Sequence, residues 1–279
     1  MSTLFISSMR SFLALATLAV CLVYSPGLFA QRTLYLDAQV GGQYAYAEGA
    51  HFGVGQRPFK GRAFLITPFV APMLRLQLTE RTGVSVGYSG GGLGWGYRLQ
   101  VPAGQSNNPY GGVSAGNAVS VYLDRVPLLI NRTVARVNFQ EVDAINELYR
   151  FGLGVDVFAG VGVNYVRGFC ATCQLGSGFS GQGDTIAFRE QPVIVRHWGG
   201  YVTAGAVGRV YHLGKERLAV TLFVNQGLVT MMEVPVQYAY NGGRGAVTLR
   251  VRGSGIGLLV AVPLRLKTFP RTAKGVAVD

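Results

Sequence analysis

Acids, thiols and long apolar runs are all scarce in this chain. Of 279 residues, 13 are Asp or Glu and three are Cys. Charged residues make up 14% against 49% hydrophobic ones, whereas soluble domains carry about 25% charge. That is too little charge to coat a soluble surface. Yet no segment after residue 30 supplies the ~18 consecutive apolar residues of a membrane helix, which excludes a helical membrane protein. Paired histidines and a second C-x-x-C are missing, so a zinc site lacks a ligand set. No G-x-x-x-x-G-K-[ST] loop is present to cradle a nucleotide phosphate. The net charge is +12, but no basic stripe interleaved with stacking aromatics points to nucleic acid.

The single long apolar stretch, Phe12 to Tyr24, follows Arg10 and precedes Pro26-Gly27 and Ala30. This is the order of a secretory signal, so residues 1–30 are expected to be removed near Ala30 after export through the Sec pathway. An uncleaved anchor or a lipoprotein at Cys21 fits less well, because the run is short for a span and Val20 is a poor lipobox residue.

What fills the rest of the chain is alternation. Phe151, Leu153, Val155, Val157, Ala159, Val161, Val163 and Tyr165 occupy one parity. Between them lie mostly glycines, with Asp156 and Asn164. Strand side chains point alternately to two faces. One greasy face and one small, hydrogen-bonding face match a barrel with lipid outside and a narrow lumen inside. The same pattern recurs from Thr33, Arg62, Gly83, Ala118, Ile194, Arg217 and Gly245. The expected fold is therefore all-β, a transmembrane antiparallel up-and-down barrel of eight strands. It spans residues 31–266, with a periplasmic tail at 267–279.

Two tight connections, Thr79 to Thr82 and Leu213 to Glu216, alternate with longer ones rich in Gly, Pro, Asn and Ser. Outer-membrane barrels keep short turns in the periplasm and long loops outside. Arg132 to Tyr149 breaks this rule and reads as a periplasmic helix, centred on Phe139 to Leu148, or as an extra hairpin. Pro68 and Pro72 predict a kinked second strand. Asn241-Gly242 predicts a hairpin tip projecting beyond the outer surface. The phase change between Gly253 and Gly257 predicts a bulge.

The segment Tyr122-Leu123-Asp124-Arg125-Val126-Pro127-Leu128-Leu129-Ile130 resembles the "YLEIPLLL" strand of the porin-like, PorT-type outer-membrane barrels common in Bacteroidetes. A glycine-rich strand follows it in that family, and Phe151 to Tyr165 takes that place here. Arg125 and Val126 depart from the usual pattern, and Phe269 is the nearest counterpart of the terminal aromatic. In layout the resemblance covers Gln31 to Leu266. It implies a barrel of about eight strands and little about activity.

On the inward parity, Asp37, Arg75, Asp156 and Arg209 are the charged residues and form a predicted lumen network. Gln39, Gln43, Thr67, Gln77, Asn164, Thr221 and Asn225 share that face. A buried network of this kind serves either as a path for protons or small solutes or as a structural plug. The interior of an eight-stranded barrel is just filled by side chains, which favours the plug. Cys170-x-x-Cys173 reads as a local disulfide in an external loop, in an oxidising compartment. His197 with Ser177 or Ser180 shows no triad spacing, and no catalytic residue, cofactor or metal is assigned. The sequence thus supports an outer-membrane barrel with a structural, binding or accessory role and no catalysis. A narrow channel, a lipid-modifying enzyme and a soluble periplasmic barrel are the alternatives. Its expected partners are outer-membrane lipid and lipopolysaccharide, with envelope proteins besides.

Overall fold

A computed structural model describes residues 32–47, 59–60, 66–101, 106–107, 114–140, 150–168, 175–181 and 183–269. The signal segment, Cys170 and Cys173 lie outside the described residues. The strands in chain order are β1 (Arg32–Ala45), β2 (Phe59–Lys60), β3 (Ile66–Gln77), β4 (Thr82–Gly87), β5 (Ser89–Gln100), β6 (Ser114–Gln140), β7 (Arg150–Val166) and β8 (Leu175–Gly181). They continue with β9 (Asp184–Glu190), β10 (Val193–Ile194), β11 (Trp198–His212), β12 (Lys215–Gly227), β13 (Met232–Tyr240), β14 (Gly243–Val251) and β15 (Gly255–Phe269).

Hydrogen bonds close a ring through eight antiparallel strands: β1, β3, β4, β6, β7, β11, β12 and β15, with β15 returning to β1. The order around the ring follows the chain. Closure removes the exposed edges that a flat sheet of this length would leave. The outward parity is apolar: Val161 is 55% exposed, Leu222 55% and Val262 54%. On β7 it runs from Phe151 to Tyr165, some 45 Å at ~3.3 Å per residue. At a ~40° tilt it rises about 35 Å, enough to cover a ~25 Å apolar band and both interfaces. Among the described residues no helix is long and apolar enough to cross a membrane.

The two prolines act differently from the expected kink. β1 and β3 pair from Thr33↔Gln77 to Tyr44↔Ile66 without a register shift. On its other side, Pro72 lies opposite Tyr88 and has no N–H to give. Its carbonyl still accepts the Tyr88 N–H, at 3.1 Å, and that gap separates β4 from β5. Beyond Val70↔Gly90 the β3–β5 pairing ends, at the level of Pro68. β5 then climbs away from the ring alongside β6.

A second sheet stands at this end. β13 pairs with β14, β9 and β10, and β9 pairs with β8. The predicted Asn241-Gly242 tip is present, with both residues at positive φ (38° and 84°), as a type I′ turn requires. The expected eighth strand, Gly245 to Leu266, is in fact two. β14 belongs to the outer sheet and β15 to the barrel, and the chain crosses between them at Gly253, whose φ is 82°. The sixth run divides likewise into β10 and β11. β15 ends at Phe269, so 267–269 belong to the wall. The described half of the 132–149 connection, 132–140, is strand: β6 reaches Gln140, paired with Arg150 of β7. No helix forms at Phe139–Gln140, and 141–149 lie outside the described residues.

The outer sheet packs on the β5–β6 extension through Leu93, Trp95, Leu99, Met232, Val234 and Leu249, all essentially inaccessible. The inward parity changes from Ser85 of β4 and Ser89 of β5 to Leu93, Trp95 and Tyr97 where the wall leaves the ring and meets this cap.

Candidate functional site

Each barrel strand delivers its inward side chains in a fixed order, and the lumen is therefore layered. At the short-turn end, Asp37 (β1), Arg75 (β3), Glu216 (β12), Arg209 (β11) and Asp156 (β7) form one continuous ionic chain. Arg75 grips Asp37 in a forked arrangement, Nε–Oδ2 2.9 Å and Nη2–Oδ1 3.3 Å. Arg75 Nη2 also donates to Glu216 Oε2 at 2.7 Å. The other oxygen of Glu216 accepts from Arg209 Nη1, and Arg209 Nε donates to Asp156 Oδ2 at 2.5 Å. All five are buried. Three carboxylates against two guanidinium groups leave a net charge of −1.

The structure brings all four predicted network residues together and adds Glu216 as the bridge. Strict alternation along β12 sets Glu216 on the outward-facing parity of Leu218 and Val220. The β11–β12 register shifts between Val210 and Tyr211, so Tyr211 pairs with Glu216 and Arg217 is the extra residue of a bulge. The bulge turns Glu216 inward while Lys215 and Arg217 stay exposed. The turn before it, Leu213-Gly214, holds both residues at positive φ, 52° and 70°.

Above the ionic chain is an apolar layer of Phe69, Phe158, Phe223, Val207 and Leu259, with Leu129 against it. The rings of Phe69 and Phe223 lie 5.5 Å apart. Gly205 and Gly257 make room for these phenylalanines: a Cβ at either would strike the Phe158 or Phe223 ring.

A second polar layer, of Gln43, Thr67, Arg125, Asn164 and Asn225, closes the outer end of the ring, and all five are buried. Arg125 Nη1 donates to Gln43 Oε1 at 2.5 Å and Nη2 to the Gly253 carbonyl at 2.9 Å. Arg125, one of the two residues that depart from the PorT-type strand pattern, thus fastens the crossing between the outer sheet and the barrel. Predicted lumen residues Thr221, Gln39 and Gln77 also face inward, Gln77 accepting from Arg75 Nη1 at 3.5 Å. The space left between the two polar layers is a cavity of about 80 Å³, room for a few waters only.

The cap holds a further buried acid that sequence reasoning assigned to no site. Glu190 accepts from Trp95 Nε1 at 3.0 Å, Tyr97 Oη at 2.5 Å and Asn117 Nδ2 at 2.7 Å. Burial, followed by the hydrogen bond to Glu190, pushes the Tyr97 hydroxyl well above the usual tyrosine range. These bonds tie β9 of the outer sheet to β5 and β6. His197 Nδ1 lies 3.1 Å from the Val166 carbonyl, and His212 rests against Phe151.

Comparison with known proteins adds little. No family model matches the chain, and no curated protein matches it. Among solved structures, an outer membrane channel from Pseudomonas putida F1 aligns over 85% of this chain and 96% of its own, at 13% identity. The TM-score is 0.16, so this weak similarity carries no argument for fold or function.

Proposed function

We propose that the chain is an exported outer-membrane barrel with a filled, non-conducting lumen, serving a structural, binding or accessory role without catalysis. The observation that carries this reading is the lumen itself. An ionic chain, a phenylalanine layer and a second polar layer cross it in succession, and a hydrophobic cap stands over its outer end. The outward apolar parity on β7, β12 and β15 supports a lipid environment. The resemblance of Tyr122–Ile130 to PorT-type barrels supports a bacterial outer membrane. The signal-like residues 1–30 supply the route. The cap sheet, joined rigidly to the wall through Glu190, is the platform for envelope partners or lipopolysaccharide. Planar-bilayer recording on the purified folded barrel tests the reading. Silent membrane at moderate voltage is expected, and a reproducible unitary conductance would establish the channel alternative instead. Hydrolysis or transfer on a phospholipid or lipid A substrate would establish the enzyme alternative.

A further inference from the structure

We infer that the outer polar layer of the barrel is a binding site for one small monovalent anion of chloride size, built around Arg125. An arginine keeps its charge in proteins, and this one is 1% exposed. A buried cation ordinarily sits against an acid. Here the two acceptors of its hydrogen bonds among the described residues, Gln43 Oε1 and the Gly253 carbonyl, are both neutral. The flanking rings of Phe69 and Tyr201 lie 5.4 and 5.8 Å from the guanidinium carbon and offer only weak compensation.

The three lumen acids are committed elsewhere. Asp37, Asp156 and Glu216 bind Arg75 and Arg209 on the other side of the phenylalanine layer, and none of them bonds to Arg125, although Asp37 lines the same cavity. Unpartnered polar groups gather beside Arg125 instead. Its own Nε, Gln43 Nε2 and both Nδ2 and Oδ1 of Asn164 are buried with no hydrogen-bond partner among the described residues. Asn164 is the cross-strand neighbour of Arg125 on β7, and buried Ser89 is its neighbour on β5. Arg125 and Ser89 both line the 80 Å³ cavity. Buried donors without acceptors are rare and ask for an explanation. An anion seated there gives the cation its counter-charge and Arg125 Nε an acceptor, and the cavity, which Arg125, Ser89 and Asn225 line, admits nothing much larger.

The test is thermal unfolding of the folded, detergent-solubilised barrel in chloride and in gluconate at equal ionic strength, alongside bromide soaks of crystals. Chloride is expected to raise the unfolding midpoint with a saturating dose, because a ligand held only by the native state stabilises it. Asn164→Asp places a carboxylate across from Arg125, and Arg125→Met removes the charge. Both are expected to abolish the difference between the two salts, and Asn164→Asp to raise the midpoint in gluconate. An anomalous bromide peak beside Arg125 is expected in the unsubstituted protein, which decides the matter even if Arg125→Met does not fold. Equal midpoints in the two salts, an undiminished chloride effect in Asn164→Asp, or no bromide at Arg125 would overturn the inference. None of these outcomes bears on membrane insertion or on conductance.

Discussion

Glu216 is the residue on which the ionic chain turns, and its removal has a calculable consequence. Glu216→Ala severs Arg75 from Arg209 and leaves two guanidinium groups facing each other in a buried space. Breaking a buried pair by deleting one partner costs about 3–5 kcal/mol. Each arginine keeps an aspartate here, Asp37 or Asp156, so the lower end of about 3 kcal/mol applies. With a urea dependence on the order of 1–3 kcal/mol per molar, the unfolding midpoint falls by roughly 1 M or more. The assay is urea unfolding in lipid vesicles, followed by the folded band that migrates faster without boiling. Lys215→Ala, one residue away but exposed, is the control. A midpoint for Glu216→Ala indistinguishable from that control would refute the claim that these side chains hold the short-turn end closed.

The remaining predictions concern the wall and the cap. Val157→Arg places a charge on the outward apolar face of β7 and should cost ~2–4 kcal/mol in the same unfolding assay. A cost no larger than that of the exposed Lys215→Ala would contradict the assignment of that face to lipid. Gly205→Val drives a side chain into the Leu222 carbonyl and the Phe158 ring and should abolish the fast-migrating band. Gly208→Ala, whose nearest neighbour is 3.9 Å away, should keep it. Glu190→Leu removes the acceptor that Trp95 Nε1, Tyr97 Oη and Asn117 Nδ2 share and should cost about 1–3 kcal/mol. Limited proteolysis should then clip the outer sheet while the barrel resists, and an unaltered digestion pattern would show the cap is held by other means.

The ring was legible because period-2 patterning survives closure: an outward apolar face and a lumen face alternate along the wall strands, and eight such runs close a barrel. Asp37, Arg75, Asp156 and Arg209 were legible for the same reason. Glu216 was not, because a one-residue bulge at Arg217 reverses parity and no local pattern announces it. The outer sheet was illegible for a related reason. β9, β13 and β14 alternate as the wall strands do, and alternation records that a strand has two faces without recording whether the apolar face meets lipid or another sheet. Gly253 marked the crossing from one sheet to the other, but as a change of phase it is equally consistent with a bulge. Arg125 stood out only as a departure from a familiar strand, and its burial depends on three strands distant in the chain.

Fluorescence quenching at known depth in a bilayer tests the central claim, that the closed eight-stranded ring crosses a membrane with its outward parity in lipid. The chain has two tryptophans, Trp95 inside the cap and Trp198 at the outer end of β11, 4.7 Å from Tyr165. With both replaced by Phe, Val157→Trp provides a single reporter at mid-wall. In vesicles of lipids brominated at graded depths, its emission should be blue-shifted and quenched most by bromines near the bilayer centre. Water-like emission, with no quenching at any depth, would contradict the account.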